Sequence, residues 1–308
     1  MDKPICKICN TEFKEDAMLH RHLKAHKISQ TAYYQTYYPR YDKFDNSMIR
    51  FKNKEYYFNS DFNTKENFKN WFFGIGIDER RIYVLDFLMR RKQKKNLIYA
   101  PSQVEIKTLM LPGVKYMNDN FQGGYAAICN QLGLQMHFDT PDLDPKLFRD
   151  VSNKVIFRDT REQTPLDFDL TTRNEGLPFG DYRMAGSEVY IERKTVGDAW
   201  GTLTGGYERF DREIQRALGA NAYLVILVES PFIELERYPH YRKVAGKIRI
   251  PVEFVYHSIR ELMQKYNHIQ FLFVKDREEA SRVVKKLFAA DAQVRRVDLQ
   301  LLYDQGLL

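Results

Sequence analysis

From residue 154 onward, short apolar stretches alternate with longer stretches in which apolar residues recur every three or four positions. The first pattern is typical of strands and the second of amphipathic helices. The predicted strands are 154–159, 181–185, 188–194, 222–229 and 269–274, and the predicted helices are roughly 207–219, 252–266 and 276–290. The last two strands are apolar throughout, as expected of central strands that are covered on both faces. Residues 151–308 are therefore predicted to form one α/β domain with a mixed sheet.

The N-terminal half has a different pattern, in which aromatic residues and short helical segments replace the apolar strands. Residues 33–73 are crowded with aromatic side chains, and the stretch MIRFKNKEYYF is predicted to form a hairpin that turns at Asn53. Aromatics interleaved with lysine and arginine can stack on unpaired bases. Small domains also use aromatics to build a core from few residues, and both interpretations stay open.

Residues 75–150 are predicted to form short helices. Asp78 is expected to cap a helix that ends in a basic run, and Ser102 to cap a second helix that stops before Pro112. A third helix, near Tyr125–Leu132, is expected to stop at Gly133. The predicted division is 1–27, an aromatic-rich hairpin and helix module at 28–74, a mostly helical module at 75–150, and the α/β domain at 151–308.

Composition narrows the class of protein. Hydrophobic residues make up 44% of the 308 residues and charged residues 29%, so the chain can bury a core. Three cysteines are too few for a disulfide-stapled secreted scaffold. The longest wholly apolar run, AYLVILV, is far shorter than the roughly 20 residues that span a bilayer, and the N-terminus has no apolar signal stretch. We therefore expect a soluble intracellular protein of the cytoplasm or nucleus that does not associate with membranes.

The charge is unevenly distributed. The net charge is +7, and residues 1–150 carry 24 basic and 18 acidic side chains, against 24 and 23 in residues 151–308. Nearly all the basic excess therefore lies in the N-terminal half. A module that binds a polyanion beside a nearly neutral domain has this distribution.

Four residues near the N-terminus have the spacing of a structural zinc site: Cys6-x2-Cys9-x12-His22-x3-His26. A two-residue gap closes a thiolate turn, and a three-residue gap places both imidazoles on one helical face. The segment closely resembles the two-Cys, two-His zinc finger family, which implies a ββα fold around Zn²⁺. By the helix register of that family, Glu15, Met18 and Arg21 fall at the base-reading positions. DNA contact, protein contact and a purely structural role stay open.

A second candidate for DNA binding is the basic run that ends the first predicted helix. It consists of Arg90, Arg91, Lys92, Lys94 and Lys95. Such a run is usually a solvated helix end. Beside a zinc finger it also becomes a candidate contact to DNA phosphates.

The strongest candidate for catalysis is the stretch GDYRMAGSEVYIERKTVGD at 180–198. Gly186–Ser187 is predicted to form a two-residue hairpin turn with glycine first. In that register Asp181 lies opposite Glu192, and Lys194 points to the same face of the sheet. Two carboxylates so placed repel each other unless a cation lies between them, and oxygen ligands suit Mg²⁺ or Mn²⁺. An Asp and a Glu-x-Lys are common, however, and a surface salt-bridge hairpin would give the same bare pattern.

The residues around this stretch make it more specific. Gly-Asp-x10-Glu-Arg-Lys-x3-Asp, from Gly180 to Asp198, matches the signature of the XPF family of structure-specific endonucleases. IFRDTREQTPLDF (156–168) resembles the first strand and turn of that family, and GGYERFDREIQRA (205–217) resembles its following helix. The resemblance covers about 154–290. It implies a restriction-endonuclease-like fold of the PD-(D/E)xK group and divalent-metal-dependent cleavage of DNA.

The resemblance also implies roles for individual residues. Asp181 and Glu192 would hold the metal, with Asp159 as a further acidic ligand, and Lys194 would be the catalytic lysine. Four more residues would support the site or approach the scissile phosphate: Arg161, Glu162, Arg193 and Asp198. The family usually carries helix-hairpin-helix motifs after this domain, and too few residues follow Ala290 here for them. We therefore expect the N-terminal modules to deliver the enzyme to DNA.

Three questions stay open at this point. The substrate is either branched DNA or a duplex near a recognised site, as for a homing nuclease. Two copies of the chain can pair through the nuclease domain, or the chain can act alone. The alternative to an enzyme is a zinc-finger DNA-binding protein that keeps an inactive nuclease fold as a scaffold.

Overall fold

The computed structural model describes residues 3–138, 154–241 and 250–308. The chain divides into two compact units, Met1–Tyr83 and Val84–Leu308. The expected boundary at 150–151 lies outside the described residues. None of the helices in the described ranges combines the length and the apolar character that crossing a membrane requires.

The first unit is built from short helices around an aromatic core. Its elements are α1 (Asp16–His22), a 3₁₀ helix (Leu23–His26), α2 (Gln30–Tyr37), α3 (Lys54–Asn59) and α4 (Lys65–Gly74). Leu19 and Leu23 pack in one cluster with Tyr33, Tyr34 and Tyr57, all of them buried. The segment 1–27 therefore shares its core with the aromatic residues that follow it.

The prediction of a hairpin that turns at Asn53 is wrong. Asn53 is instead the N-cap of α3, and its side chain accepts a hydrogen bond of 2.7 Å from the backbone nitrogen of Tyr56. Asparagine favours turns and helix N-caps alike, because its side chain can bond nearby backbone N–H groups. The sequence pattern alone did not separate the two.

The helices α5 (Ile77–Lys95), α6 (Gln103–Lys107), α7 (Val114–Asn120) and α8 (Gly124–Gln131) follow. Asp78 lies within the first turn of α5 and is not its cap. Ser102 caps α6 as predicted, in a reciprocal arrangement with Glu105. Beyond α8, Gly133 has φ 62°, the left-handed conformation that ends a helix and favours glycine.

The second unit contains a six-stranded sheet in the order β2-β1-β3-β4-β5-β6. The strands are β1 (Ile156–Asp159), β2 (Thr172–Glu175), β3 (Tyr182–Met184), β4 (Val189–Lys194), β5 (Tyr223–Val228) and β6 (Ile269–Phe273). Strand β3 is antiparallel to both of its neighbours, whereas β1–β2, β4–β5 and β5–β6 are parallel. The predicted α/β class with a mixed sheet is confirmed. Strand β2 was not predicted, since all four of its residues are exposed and none is apolar.

Helices cover both faces of this sheet. They are α9 (Val196–Leu203), α10 (Tyr207–Gly219), α11 (Ile233–Tyr241), α12 (Val252–Lys265), α13 (Arg277–Ala290) and α14 (Leu299–Asp304), with a 3₁₀ helix at Asp291–Arg296. Alternate residues of β5 belong to two separate cores. Leu224, Ile226 and Val228 pack with residues of α9, α10 and α12, and the residues between them pack with α13.

Helices that precede residue 139 pack into the same unit as the sheet. Val104 and Phe138 belong to the core that also contains α10 and α12. The backbone nitrogen of Gln103 donates to Asp298 Oδ2 at 2.6 Å, and Gln264 Nε2 donates to Glu105 Oε1 at 3.0 Å. Part of the helical region expected to form a module of its own therefore contributes to the core of the α/β unit.

Candidate metal centre and active site

The four predicted zinc ligands lie together in the first unit. Cys6 and Cys9 lie in a turn closed by the hydrogen bond from the Asn10 nitrogen to the Cys6 oxygen, at 2.7 Å. His22 ends α1 and His26 ends the 3₁₀ helix that follows. One ligand atom from each residue falls within a group whose members are no more than 4.8 Å apart.

Two distances in this Cys/His cluster are slightly shorter than those between the ligands of a tetrahedral zinc ion. His22 Nε2 lies 3.2 Å from Cys9 Sγ and 3.0 Å from His26 Nε2. Bonds of about 2.3 Å to sulfur and about 2.0 Å to nitrogen place the ligands of a tetrahedral zinc roughly 3.3–3.8 Å apart. A hydrogen bond with Thr11, assisted by His22, lowers the pKa of Cys9 to about 5 and so favours the thiolate that binds metal. Two sulfur and two imidazole ligands are the set that zinc prefers.

The candidate base-reading residues lie at the start and along the surface of α1. Glu15 is the N-cap residue of α1, although its side chain makes no capping hydrogen bond. Met18 is 37% exposed, and Arg21 is exposed as well. Their contact with bases stays a prediction.

The basic run at the end of α5 makes contacts within the protein. Lys92 Nζ donates to the backbone oxygens of Leu132 and Gly133, at 2.5 and 3.2 Å, where α8 ends. Arg90 forms an ion pair of 3.0 Å with Asp86. Arg91, Lys94 and Lys95 also have interactions within the chain. Lys92 therefore satisfies carbonyl groups at a helix C-terminus, and a phosphate contact by this run stays a prediction.

In the second unit, the hairpin of β3 and β4 has the predicted register. Tyr182 pairs with Ile191 and Arg183 with Tyr190. The turn itself differs from the prediction: the Ser187 nitrogen donates to the Met184 oxygen at 3.0 Å, so the turn is centred one residue earlier. Gly186, with φ 77°, is then the second of its central residues and not the first. The strand pairing is the same, and Asp181, directly before β3, lies beside the Ile191–Arg193 stretch of β4: its nitrogen donates to the Ile191 oxygen at 2.7 Å.

Asp181, Glu192 and Lys194 form a compact, half-buried group. Lys194 Nζ donates to Glu192 Oε1 at 2.8 Å, and their side chains are only 10% and 15% exposed. The Arg193 nitrogen donates to Asp181 Oδ2 at 2.7 Å. Burial and the nearby charge of Glu192 raise the pKa of Asp181 to about 7. Two carboxylates thus share one lysine, and a further cation would relieve their repulsion.

Asp159 is held in a different way from Asp181 and Glu192. Its Oδ1 accepts from the backbone nitrogen and Nε of Arg161, at 2.8 and 2.7 Å. Its Oδ2 accepts from Arg161 Nη2 at 3.0 Å and from the Leu177 nitrogen at 2.8 Å. The hydrogen bond from the Arg161 side chain is the largest of the effects that lower the pKa of Asp159. Both oxygens of the carboxylate that was expected to be a further metal ligand therefore accept hydrogen bonds from the protein, from Arg161 and Leu177.

Arg193 and Glu162 belong to a buried ion-pair network on the opposite side of β4. Successive residues of a strand point to opposite faces, so Arg193 points away from the face of Glu192 and Lys194. Its guanidinium lies 3.2 Å from Glu162 Oε1 and 2.9 Å from Glu229 Oε1. The side chains of Arg193, Glu162 and Glu229 are 8%, 6% and 12% exposed. The Arg193 guanidinium therefore pairs with these two carboxylates, and only its backbone nitrogen contacts Asp181.

Asp198 stabilises the start of α9. Its backbone nitrogen donates to Thr195 Oγ1 at 3.1 Å, and Thr195 Oγ1 donates to Asp198 Oδ2 at 2.7 Å. An acidic residue in the first turn also interacts favourably with the helix dipole. Asp198 is exposed, and these hydrogen bonds connect it to Thr195 and not to Asp181 or Glu192.

Glu213 on α10 was not predicted as a site residue. Burial and the charge of Glu192 raise its pKa, whereas Lys194, Arg216 and Arg209 lower it, so all four of these charged groups lie near Glu213. Glu213 follows Phe210 by one helical turn, and the Phe210 ring lies 5.1 Å from Lys194 Nζ. The amphipathic pattern of α10 shows which of its residues face the sheet, but it does not show which strand residues they meet.

Comparison with solved structures finds XPF from Aeropyrum pernix, with 24% identity and a TM-score of 0.33 over 46% of this chain and 68% of that chain. A second match is XPF from Aeropyrum pernix in complex with DNA, with 22% identity and a TM-score of 0.34 over 44% of this chain and 63% of that chain. No protein-family model matches the chain. No curated protein matches it either.

Proposed function

We propose that this protein is a divalent-metal-dependent DNA endonuclease of the PD-(D/E)xK type. The observation that carries the proposal is the placement of Asp181 and Glu192 side by side on one hairpin. Asp181 Oδ2 accepts from the Arg193 nitrogen at 2.7 Å, and Lys194 Nζ lies 2.8 Å from Glu192 Oε1. This group fits phosphodiester hydrolysis, because two carboxylates can hold a metal ion and an ammonium group can offset the charge that develops on the phosphate.

The residues present fit Mg²⁺ or Mn²⁺. Mg²⁺ usually binds one or two protein carboxylates and completes its coordination with water and substrate phosphate oxygens. Asp181 and Glu192 supply two such carboxylates, and burial together with the charge of Glu192 raises the pKa of Asp181, so a cation bound between them would favour its ionised form. When bound, the ion would lower the pKa of a coordinated water and polarise the phosphate.

Asp159 and Lys194 have different tasks in this proposal. Asp159 positions Arg161 through its side-chain and backbone hydrogen bonds, and its role as a further metal ligand stays a prediction. Asp159 holds Nε and Nη2 of Arg161, but the Arg161 side chain is 74% exposed. Its guanidinium can therefore also bind a phosphate oxygen. Lys194 is held by Glu192 and the Phe210 ring, with its charge directed at the carboxylate pair.

The Cys/His cluster has a structural part in the proposal. The four residues would hold Zn²⁺, and all four ligands come from the protein, as in zinc sites that have no catalytic role. The unit that contains the cluster would bring the enzyme to DNA. This role rests on the basic excess of that unit, since residues 1–83 carry 15 basic and 11 acidic side chains.

The test is to incubate the full chain, in the presence of Mg²⁺ or Mn²⁺, with labelled duplex, fork, flap and junction DNAs. Cuts that require the metal and disappear in Glu192→Gln are expected, and the substrate that is cut distinguishes branched DNA from a duplex site. Asp169→Asn is a matched control, because Asp169 is a carboxylate 94% exposed that pairs with Lys285. DNA binding without cutting of any substrate would favour the inactive-scaffold alternative.

A further inference from the structure

The exposed side of α10 carries arginines beside the proposed active site. Phe210, Ile214 and Ala217 are buried against the sheet. On one flank of this apolar stripe, Asp211 pairs with Lys265 of α12 at 2.8 Å. With 3.6 residues per turn, Arg209, Glu213 and Arg216 project from the other flank.

That second flank is the one nearest to the catalytic group. Glu213 lies between Arg209 and Arg216 along α10. Besides burial, which raises its pKa, the charge of Glu192 raises it and the charge of Lys194 lowers it. Arg161 in turn interacts with Asp159, Glu213 and Asp181. The carboxylates therefore have Arg161 on the β1 side and the arginines of α10 on the helix side.

The guanidinium groups of Arg209 and Arg216 are exposed, and no described residue forms a hydrogen bond or an ion pair of 4.0 Å or less with either of them. Two exposed arginines on other helices of the same unit do have such partners: Arg237 pairs with Glu234, and Arg282 pairs with Glu279. Arg212 of α10 is also exposed and has no such partner among the described residues, but it does not lie on the flank of Glu213. Arg216 lies seven positions after Arg209 on the helix, a rise of about 10 Å. Two planar guanidinium groups at this separation can each bind a different phosphate of one strand.

We propose that Arg209 and Arg216 bind the DNA backbone on the helix side of the scissile phosphate, so that the cleaved strand runs along α10. The inference rests on the proposed function and adds the path of the substrate to it. It assigns part of the DNA affinity to the nearly neutral half of the chain. A phosphate in contact with the protein interacts mainly with the charged side chains next to it. The net charge of the whole domain therefore does not predict how strongly it binds.

The experiment compares DNA affinity in the full-length chain, with Glu192→Gln present throughout so that no substrate is cut. Binding of one labelled duplex is measured at several salt concentrations for this parent and for the parent with Arg209→Ala and Arg216→Ala. Loss of two phosphate contacts is expected to weaken binding several-fold and to make the slope of log K against log[salt] shallower by roughly 1.8. The Arg209→Lys, Arg216→Lys pair should keep most of the slope, because lysine retains the charge.

Arg282→Ala is the matched control, since Arg282 is an exposed arginine on α13, which packs against the other face of the sheet. The inference is overturned if the Arg209/Arg216 double variant binds with the parent's slope, if Arg282→Ala lowers the slope equally, or if the parent binds no DNA. Melting temperatures equal to the parent's exclude unfolding as the cause. Cleavage by the wild-type chain is measured separately. If the double variant has a shallower salt dependence but the wild-type chain cuts no DNA, the proposed function is contradicted while DNA binding by Arg209 and Arg216 is supported.

Discussion

The Cys/His cluster and the acidic site differ in how far apart their members lie in the sequence. The cluster uses residues 6–26, which one turn and two short helices bring together. The acidic site takes Asp181 and Glu192 from a hairpin, Arg161 from the end of β1 and Glu213 from α10. When all the residues of a site are close in the sequence, their spacing is enough to predict every one of them. When a site is assembled from several elements, the spacing predicts only the residues that share one hairpin.

The two sites also differ in how their charges are balanced. The cluster brings together two thiols and two imidazoles that would be balanced by one ion. The acidic site lies beside a protein-only ion-pair network on the other side of the same strand, at Arg193. Loss of metal should therefore unfold the first site and leave the second folded but inactive.

The largest expected effect is on the Cys/His cluster. Cys9→Ser should release the metal and unfold the segment around it, because binding of structural zinc contributes about 10–16 kcal/mol in isolated fingers. Leu19 and Leu23 should lose their packing against Tyr33 and Tyr34. Metal content and amide hydrogen exchange measure the two effects. Cys129→Ala, in the second unit, should retain one equivalent of zinc, and full zinc retention by Cys9→Ser would show that the cluster is not the site.

At the acidic site, Lys194→Ala should lower the rate of cleavage between about 10²- and 10⁴-fold, the range typical of a lost proton-transfer or charge-stabilising group. Circular dichroism should remain that of the folded protein. Lys275→Ala removes a lysine that is 77% exposed and should cut at the wild-type rate. Undiminished cleavage by Lys194→Ala would contradict the assigned site.

On the opposite side of β4, Arg193→Ala should reduce the free energy of unfolding by about 3–5 kcal/mol, because it removes the ion-pair partner of the buried Glu162 and leaves Glu229 paired only with Arg277. Urea denaturation monitored by circular dichroism measures the loss. Arg158→Ala, which removes an exposed hydrogen bond to Asn174, should change stability little. Equal stability of the two variants would mean that the network does not stabilise the sheet.

The smallest expected effect is the pH dependence of the same network. Burial alone would raise the pKa of Glu162, but hydrogen bonds from Arg193 and the Thr164 nitrogen lower it below 4.5 overall. A carboxyl whose pKa is lower in the folded state stabilises the fold above its unfolded pKa, and this contribution is lost as the pH falls through the folded value. Glu162→Gln should therefore be less stable than wild type at pH 7, with the difference narrowing below about pH 4.5. A difference that stays constant down to pH 3 would contradict this.

Much of the α/β unit could be predicted from the sequence, because its strands are apolar and its helices have clear amphipathic periods. The register of β3 and β4 followed from one glycine-containing turn, even though the turn itself is centred one residue earlier. The exposed strand β2 could not be found in this way, since nothing in its sequence distinguishes it from a loop. Asn53 shows the same limit, because a residue that favours turns also favours helix caps.

By itself, the sequence determined the Cys/His quartet, the Asp181–Glu192–Lys194 group and the two-sided burial of the central strands. In each case the members are close in the chain or follow the fixed period of one element, so local geometry is sufficient. Only the tertiary structure decided that the Asp159 carboxylate is occupied by Arg161 and Leu177, and that Glu213 joins the acids. The bonds from Arg161 are local, but the contacts of Leu177 and Glu213 join separate elements, and their geometry depends on how α10 and the strand ends pack, which no sequence spacing encodes.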